Sequence, residues 1–235
     1  MNINCEIDFP RPAFDNMCRD EALFYEHDAA RKQQIQLRFY SWRGPAITFG
    51  YAQLPNELID LAAALNLGIE TARRITGGGM VLHQPNELTY SLVAPLTALP
   101  QGIIPSCNFI SEIFCKALWK IGVPAALAEK AGFTGDYDRN ICFARPARYE
   151  VLVNGKKLLG SAQKRGRHSL LQHGSLALEP LLPVFAELLD ITALKQHSTN
   201  IQECLTYTDK SMYKYTYKEL AEIIREEFLQ TFASV

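Results

Sequence analysis

Three consecutive glycines, Gly77-Gly78-Gly79, follow the pair Arg73-Arg74 and precede His83 and an alternating run through Leu88, Tyr90 and Leu92. Core packing alone does not account for that combination. Glycines in succession remove every side chain over about one strand width, so a ligand or a second backbone can approach the main-chain N–H groups closely. The stretch Thr71–Tyr90 is therefore read as a ligand cradle, against the plainer reading of a glycine-rich hairpin loop.

The 235 residues, 48% of them hydrophobic, can bury a sizeable core and suit one large or two small domains, and no linker over residues 1–235 is sharp enough to define a second. A net charge of -1 leaves no global attraction for nucleic acid or an anionic membrane, so any acidic partner must be met locally. The six cysteines, at 5, 18, 107, 115, 142 and 204, form no CxxC pair or zinc-ligand spacing. The N-terminus lacks the basic end and apolar run of a signal peptide, and no apolar stretch is long enough to span a bilayer. A reducing cytoplasm is the expected compartment.

Apolar spacing predicts a first helix over Asp15–Lys32 with Asp15 as cap, then strands over Gln36–Tyr40 and Ala46–Tyr51 joined as a meander. A helix over Pro55–Leu65 stops at Gly68, and strand-like runs follow at Ile69–Arg74, Met80–His83 and Glu87–Ala94. A strong helix runs from a Ser106 cap to Lys120. The Asn154-Gly155 pair predicts a type I′ hairpin between Arg148–Val153 and Lys156–Lys164, followed by a strand over Ser169–Leu178. Helices over Pro180–Leu189 and Tyr217–Phe232 complete the chain.

Four residues compete for chemistry. Cys142 follows a polar, glycine-bearing loop with Arg139, Arg145 and Arg148 near it to favour a thiolate, although a lone cysteine is usually structural. Lys157 is placed by strand alternation on the opposite face from Lys156, with Gly160 and Ala162 leaving room beside it; there it can hold a carboxylate, a phosphate or a thioester oxygen. His83 and His173 lie on strands, where a histidine is more often a hydrogen-bonded structural group. No HExxH or paired-metal pattern occurs, so no metal is expected.

Six motifs in order carry a resemblance. They are Asn16-Met17 with Asp20 to Leu23; Phe49-Gly50-Tyr51 with Gln53; Arg73 to Gly79 with Val81 and His83; Glu87 to Ser91; Gly155 to Ala162; and His173 to Leu176. Over about residues 16–178 the chain resembles the superfamily of lipoate-protein ligase A, octanoyltransferases and biotin ligases. The resemblance implies a mixed α/β fold, a large mixed sheet and a smaller one flanked by helices. It also implies substrate contacts at Arg73, Arg74, Gly77, Gly78, Gly79, His83, Gly160, Ser161, Ala162 and His173. Within the superfamily, Cys142-Phe143 with Tyr149-Glu150-Val151 and Gly160 to Arg165 resembles the cysteine-dependent octanoyltransferases, and few residues follow Leu178 for the accessory domain of many ligases.

The activity so implied is transfer of octanoate from octanoyl acyl-carrier protein to Cys142, with Lys157 steadying the oxyanion, and then to a lysine of a lipoyl-domain protein. That acceptor is the glycine-cleavage H protein or an E2 lipoyl domain. No cofactor is implied on this route. The acyl tunnel is expected along Gly77–Gly79, walled by His83, while Arg73, Arg74 and the tip from Lys164 to Arg167 meet the acidic carriers. Gly77-Gly78-Gly79 stands where octanoyltransferases usually carry Gly-Gly-Arg, and this keeps open an ATP- and Mg-dependent lipoate ligase. A non-catalytic carrier-binding subunit is the third reading.

Overall fold

The computed structural model describes residues 2–128, 149–205 and 214–233. A seven-stranded sheet has the order β1-β2-β6-β10-β9-β8-β7. Its strands are β1 (Ile3–Ile7), β2 (Ile35–Tyr40), β6 (Glu87–Pro95), β7 (Ala126–Leu127), β8 (Val151–Val153), β9 (Lys156–Arg165) and β10 (Ser169–Ala177). Only β1 and β2 run parallel; the other neighbours are antiparallel. A second sheet of three has the order β4-β3-β5, from β3 (Ala46–Phe49), β4 (Glu70–Arg73) and β5 (Val81–His83).

Alternation on the central strands fixes what each face meets. Leu88, Tyr90 and Leu92 of β6 join Leu37 and Phe39 of β2 in the main core, which is closed by α4 (Ile103–Lys120) and α7 (Tyr217–Ala233). The intervening residues Glu87, Thr89 and Ser91 face the opposite way. Every residue of β6 is buried, because the far face is covered as well. That cover includes α1 (Ala13–Ala30), which is in contact with β6, β10 and β4.

The Asn154-Gly155 turn has both φ values positive, 50° and 77°, as a type I′ hairpin requires. Gly68, at φ 69°, ends α3 (Leu61–Asn66). Other local expectations are displaced. β2 and β3 form no meander; they belong to different sheets, since Arg38 and Tyr40 turn toward α1 while β3 pairs with β4 and β5. The helix expected over Pro55–Leu65 breaks into α2 (Pro55–Leu58) and α3, because Asp60 accepts from the Ala62 and Ala63 N–H groups and caps a new start. Leu65 then points outward, 77% exposed, and Ala64 inward.

Neither Asp15 nor Ser106 caps its helix: α1 starts after Pro12 and α4 after Gly102, and the Ser106 hydroxyl donates back to the Gly102 and Ile103 carbonyls. Pro183–Glu187 is one stretch of 3₁₀ helix, followed by α5 (Thr192–His197) and α6 (Ile201–Leu205).

Gly174 lies opposite both Tyr90 and Ser161 across the sheet. A Cβ there would come within 2.5 Å of Ser161 Oγ, 2.6 Å of the Tyr90 ring and 2.7 Å of the Gly160 carbonyl oxygen. The backbone oxygen cannot swing aside, so Gly174→Ala is expected to cost about 1–3 kcal/mol. A lowered urea midpoint with unchanged slope is the expected reading; an unchanged midpoint would contradict the close packing of β10.

Candidate active site

A narrow slot lies between the large sheet, the small sheet and α1. Its walls include Met17, Trp42, His83, Ala162 and His173, with Gly160 and Gly174 contributing backbone. Beside it is a wider cavity of about 340 Å³, lined by Leu82, Glu87, Leu181, Leu194 and Thr199 among others. Val81 and Ser175 border both.

Two buried polar networks hold the slot in shape. In the first, Arg38 donates from Nη1 to Asp20 Oδ1 at 3.0 Å and from Nη2 to Asn16 Oδ1 at 2.6 Å and Asp8 Oδ2 at 3.1 Å. Asp20 Oδ2 in turn accepts from the Tyr40 hydroxyl at 2.8 Å and from His173 Nδ1 at 3.0 Å. His173 Nε2 is hydrogen-bonded to the Thr76 hydroxyl at 2.7 Å. Burial alone would push the Asp20 carboxyl up, but the hydrogen bond and charge of His173 and the charge of Arg38 together outweigh it and hold the carboxyl below its ordinary value.

The second network centres on His83, stacked on Trp42 with ring centroids 3.8 Å apart. His83 Nδ1 donates to Glu87 Oε1 at 2.7 Å, and Nε2 accepts from the Thr48 hydroxyl at 2.7 Å, whose oxygen accepts from Arg74 at 2.8 Å. With His83 neutral, both of its ring nitrogens are satisfied. Burial lowers its pKa and outweighs the pull of Glu87 in the other direction.

Lys157 is fully buried and Lys156 exposed, as alternation expects. Lys157 Nζ lies 2.5 Å from Glu150 Oε1, and its carbonyl accepts from the Thr199 N–H at 2.9 Å, which ties the 340 Å³ cavity's wall to β9. The Lys157 side chain does not line the slot; Gly160, Ser161 and Ala162, further along the same strand, do. Cys142 lies outside the described residues.

Arg74 borders the slot, where a substrate contact is expected; it is 6% exposed and donates to Thr48 O, Gly77 O and Gly79 O, so it braces the glycine loop and is not placed to meet a carrier protein. Arg73 is exposed, with Nη1 on the carbonyls of Tyr51 and Gln53 at 2.9 and 2.6 Å. Gly77, Gly78 and Gly79 do not line the slot. Their absent side chains serve a backbone approach instead: a Cβ on Gly50 would stand 2.0 Å from the Gly78 carbonyl oxygen. The side-chain-free wall is provided by Gly160 and Gly174.

Residues given no role from sequence complete the site. Arg38 is a lone charge in the apolar-alternating IQLRFY, and that setting is the signal that marks it. Glu87 and Glu150 stand in the quoted motifs, and only the folded structure brings them to His83 and Lys157. Among the described residues no group of three or more His, Cys, Asp or Glu is arranged to hold a metal, and no helix is long and apolar enough to cross a membrane.

An unfolded histidine takes up a proton as pH falls through about 6.5, whereas folded His83 resists it, so folding stability declines below that pH. Asp20, held below its ordinary value, adds a second loss only as pH falls through about 4. The melting temperature should fall between pH 7 and pH 5, with a shallower fall in His83→Gln; equal slopes would contradict a neutral, buried His83.

The chain matches the family model of the lipoyl protein ligase A/B catalytic domain over residues 12–229. It is 39% identical over 170 residues to octanoyltransferase LipM of Moorella thermoacetica, covering 70% of this chain and 61% of that protein, less than two thirds of its length. To octanoyltransferase LipM of Carboxydothermus hydrogenoformans it is 34% identical over 223 residues, 93% of this chain and 81% of that protein. Among solved structures, a lipoate-protein ligase A bound with ATP superposes with TM-score 0.78 at 21% identity, covering 99% of this chain and 86% of that one. That last likeness is one of fold.

Proposed function

Because the chain belongs to the lipoyl protein ligase A/B catalytic-domain family, we propose that it moves an octanoyl group from octanoyl acyl-carrier protein to a lysine of a lipoyl-domain protein. The observation that carries this reading is similarity to octanoyltransferases along 93% of the chain. The site's chemistry agrees with it. An apolar slot suits an alkyl chain, and its lining histidines are already hydrogen-bonded to groups behind the wall, so a hydrocarbon entering it strips neither of its partners.

The slot holds only about 30 Å³ of free volume. An eight-carbon chain therefore seats as Met17, the most pliable wall, moves aside.

On this reading Cys142, as thiolate, attacks the donor's thioester carbonyl; a C–S bond to the enzyme forms and the C–S bond to the carrier breaks, releasing the carrier thiol. Lys157 supports the oxyanion that develops, as a compact cation whose direction is set by Glu150. The acceptor lysine's amine then attacks the acyl-enzyme, a C–N bond forms, and Cys142 leaves as thiolate. The incoming thioester already supplies the activation, so the route calls for no nucleotide. A reducing cytoplasm keeps such a thiol available. The acceptor is a lipoyl domain of the glycine-cleavage H protein or of an E2 subunit.

Intact-mass measurement after mixing with octanoyl acyl-carrier protein, without ATP, tests the reading. One added octanoyl group that is released by hydroxylamine and absent in Cys142→Ser is the expected result. Attachment of free lipoate that requires ATP and survives Cys142→Ser would put a lipoate ligase in its place. Carrier binding with no product in either assay would leave a non-catalytic subunit.

A further inference from the structure

The carboxylate of Glu87 is engaged on one oxygen only. Oε1 accepts from Trp42 Nε1 at 3.1 Å, His83 Nδ1 at 2.7 Å, Thr89 Oγ1 at 2.9 Å and Ser175 Oγ. Oε2 accepts no hydrogen bond from the described residues. Glu87 is 2% exposed, yet Oε2 is not among the enclosed side-chain atoms that lack a partner, so this oxygen opens on space from which a donor can reach it. Glu87 borders the 340 Å³ cavity and not the slot.

The cavity's lining says what kind of donor fits. Met80, Leu82, Leu181 and Leu194 supply apolar wall, while among the described residues the charged lining is Glu87, Glu179 and Glu203 against one cation, Lys195. An excess of carboxylates disfavours a polyphosphate or a carboxylic acid and favours a cation. A cation carried on an unbranched hydrocarbon stem satisfies both halves of the lining. The slot and the cavity meet at Val81 and Ser175, so a chain in one and a stem in the other would approach a common junction from two sides.

We propose that this cavity receives a primary alkylammonium, the side chain of the acceptor lysine, and that Glu87 Oε2 docks the ammonium and takes its proton. The identity of the cation rests on the octanoyltransferase reading. In the step, one N–H bond of the ammonium breaks and its proton passes to Oε2. The freed lone pair forms the C–N bond to the acyl-enzyme carbonyl as the C–S bond to Cys142 breaks, and the thiolate collects the amine's second proton. Glu87 is thereby a catalytic residue for the second half-reaction and not for the first.

Glu87→Gln keeps an oxygen for the four internal donors and replaces Oε2 with an amide that cannot accept the proton. The test compares the two half-reactions by rapid quench: acylation by octanoyl acyl-carrier protein, and loss of the acyl group to excess lipoyl domain. Deacylation should fall about a hundredfold further than acylation. Equal falls, or no fall in deacylation, would overturn the proposal.

A second measurement uses n-butylammonium chloride against equal sodium chloride and against n-butanol. It should raise the melting temperature of the wild-type protein beyond both controls and leave Glu87→Gln with no such gain. Lack of a wild-type shift, or an equal shift in the variant, overturns the ammonium site; should the variant not fold, the wild-type comparison with n-butanol decides it. If no acyl-enzyme forms while the ammonium shift is present, it is the octanoyltransferase reading that fails and the cation site that stands.

Discussion

The guanidinium of Arg38, 2% exposed, is the group on which the site's geometry depends. An isolated charge cannot be kept in the interior, and this one is matched by two carboxylates and an amide oxygen, with the Tyr40 ring 3.9 Å beneath it. Asp20 and Asn16 come from α1, Asp8 from the segment after β1, and Arg38 from β2. Such a pair adds little net stability over apolar packing, but it admits few arrangements. It fixes how α1 lies across the sheet, and Asp20 extends that order to His173 on β10.

From there the site follows by contact. His173 reaches Thr76, which stands at the head of the glycine loop, and Arg74 draws the same loop in by its carbonyls. Thr48 links Arg74 to His83, and His83 links to Glu87 on the large sheet. The small sheet is thus joined to the large one by polar groups whose partners are all internal, and the slot is left apolar by exclusion. Glu87 is the member of the chain of contacts that keeps one oxygen for the neighbouring cavity.

Much of this could be read from residues alone, and the failures have physical causes. Strands announced by alternation and by Asn154-Gly155 occur where expected, because side-chain period and turn chemistry are local. That Lys156 and Lys157 face opposite ways also follows from period, whereas the burial of Lys157 is set by what covers its face. The glycines at 77–79 suggest a close approach, but a missing Cβ does not say by what; here Gly50 and Gly78 approach each other, and Gly77–Gly79 are not among the residues lining the slot. Arg74 looked like a surface charge because its carbonyl partners are brought together only by tertiary structure. The split between two sheets was invisible for the same reason: strand existence is local, whereas strand partnership is not.

The central claim is that the seam between the sheets seats the acyl chain. Ala162, on the slot's wall beside Gly160, is where a larger side chain reports on it most directly. Transfer rates for butanoyl and octanoyl carrier-protein donors should be compared in the wild-type protein and Ala162→Leu. The account predicts an octanoyl rate that falls at least about tenfold relative to butanoyl, the size expected when a few methylenes lose their place in an apolar pocket. An unchanged ratio of the two rates would contradict it and place the chain elsewhere in the molecule.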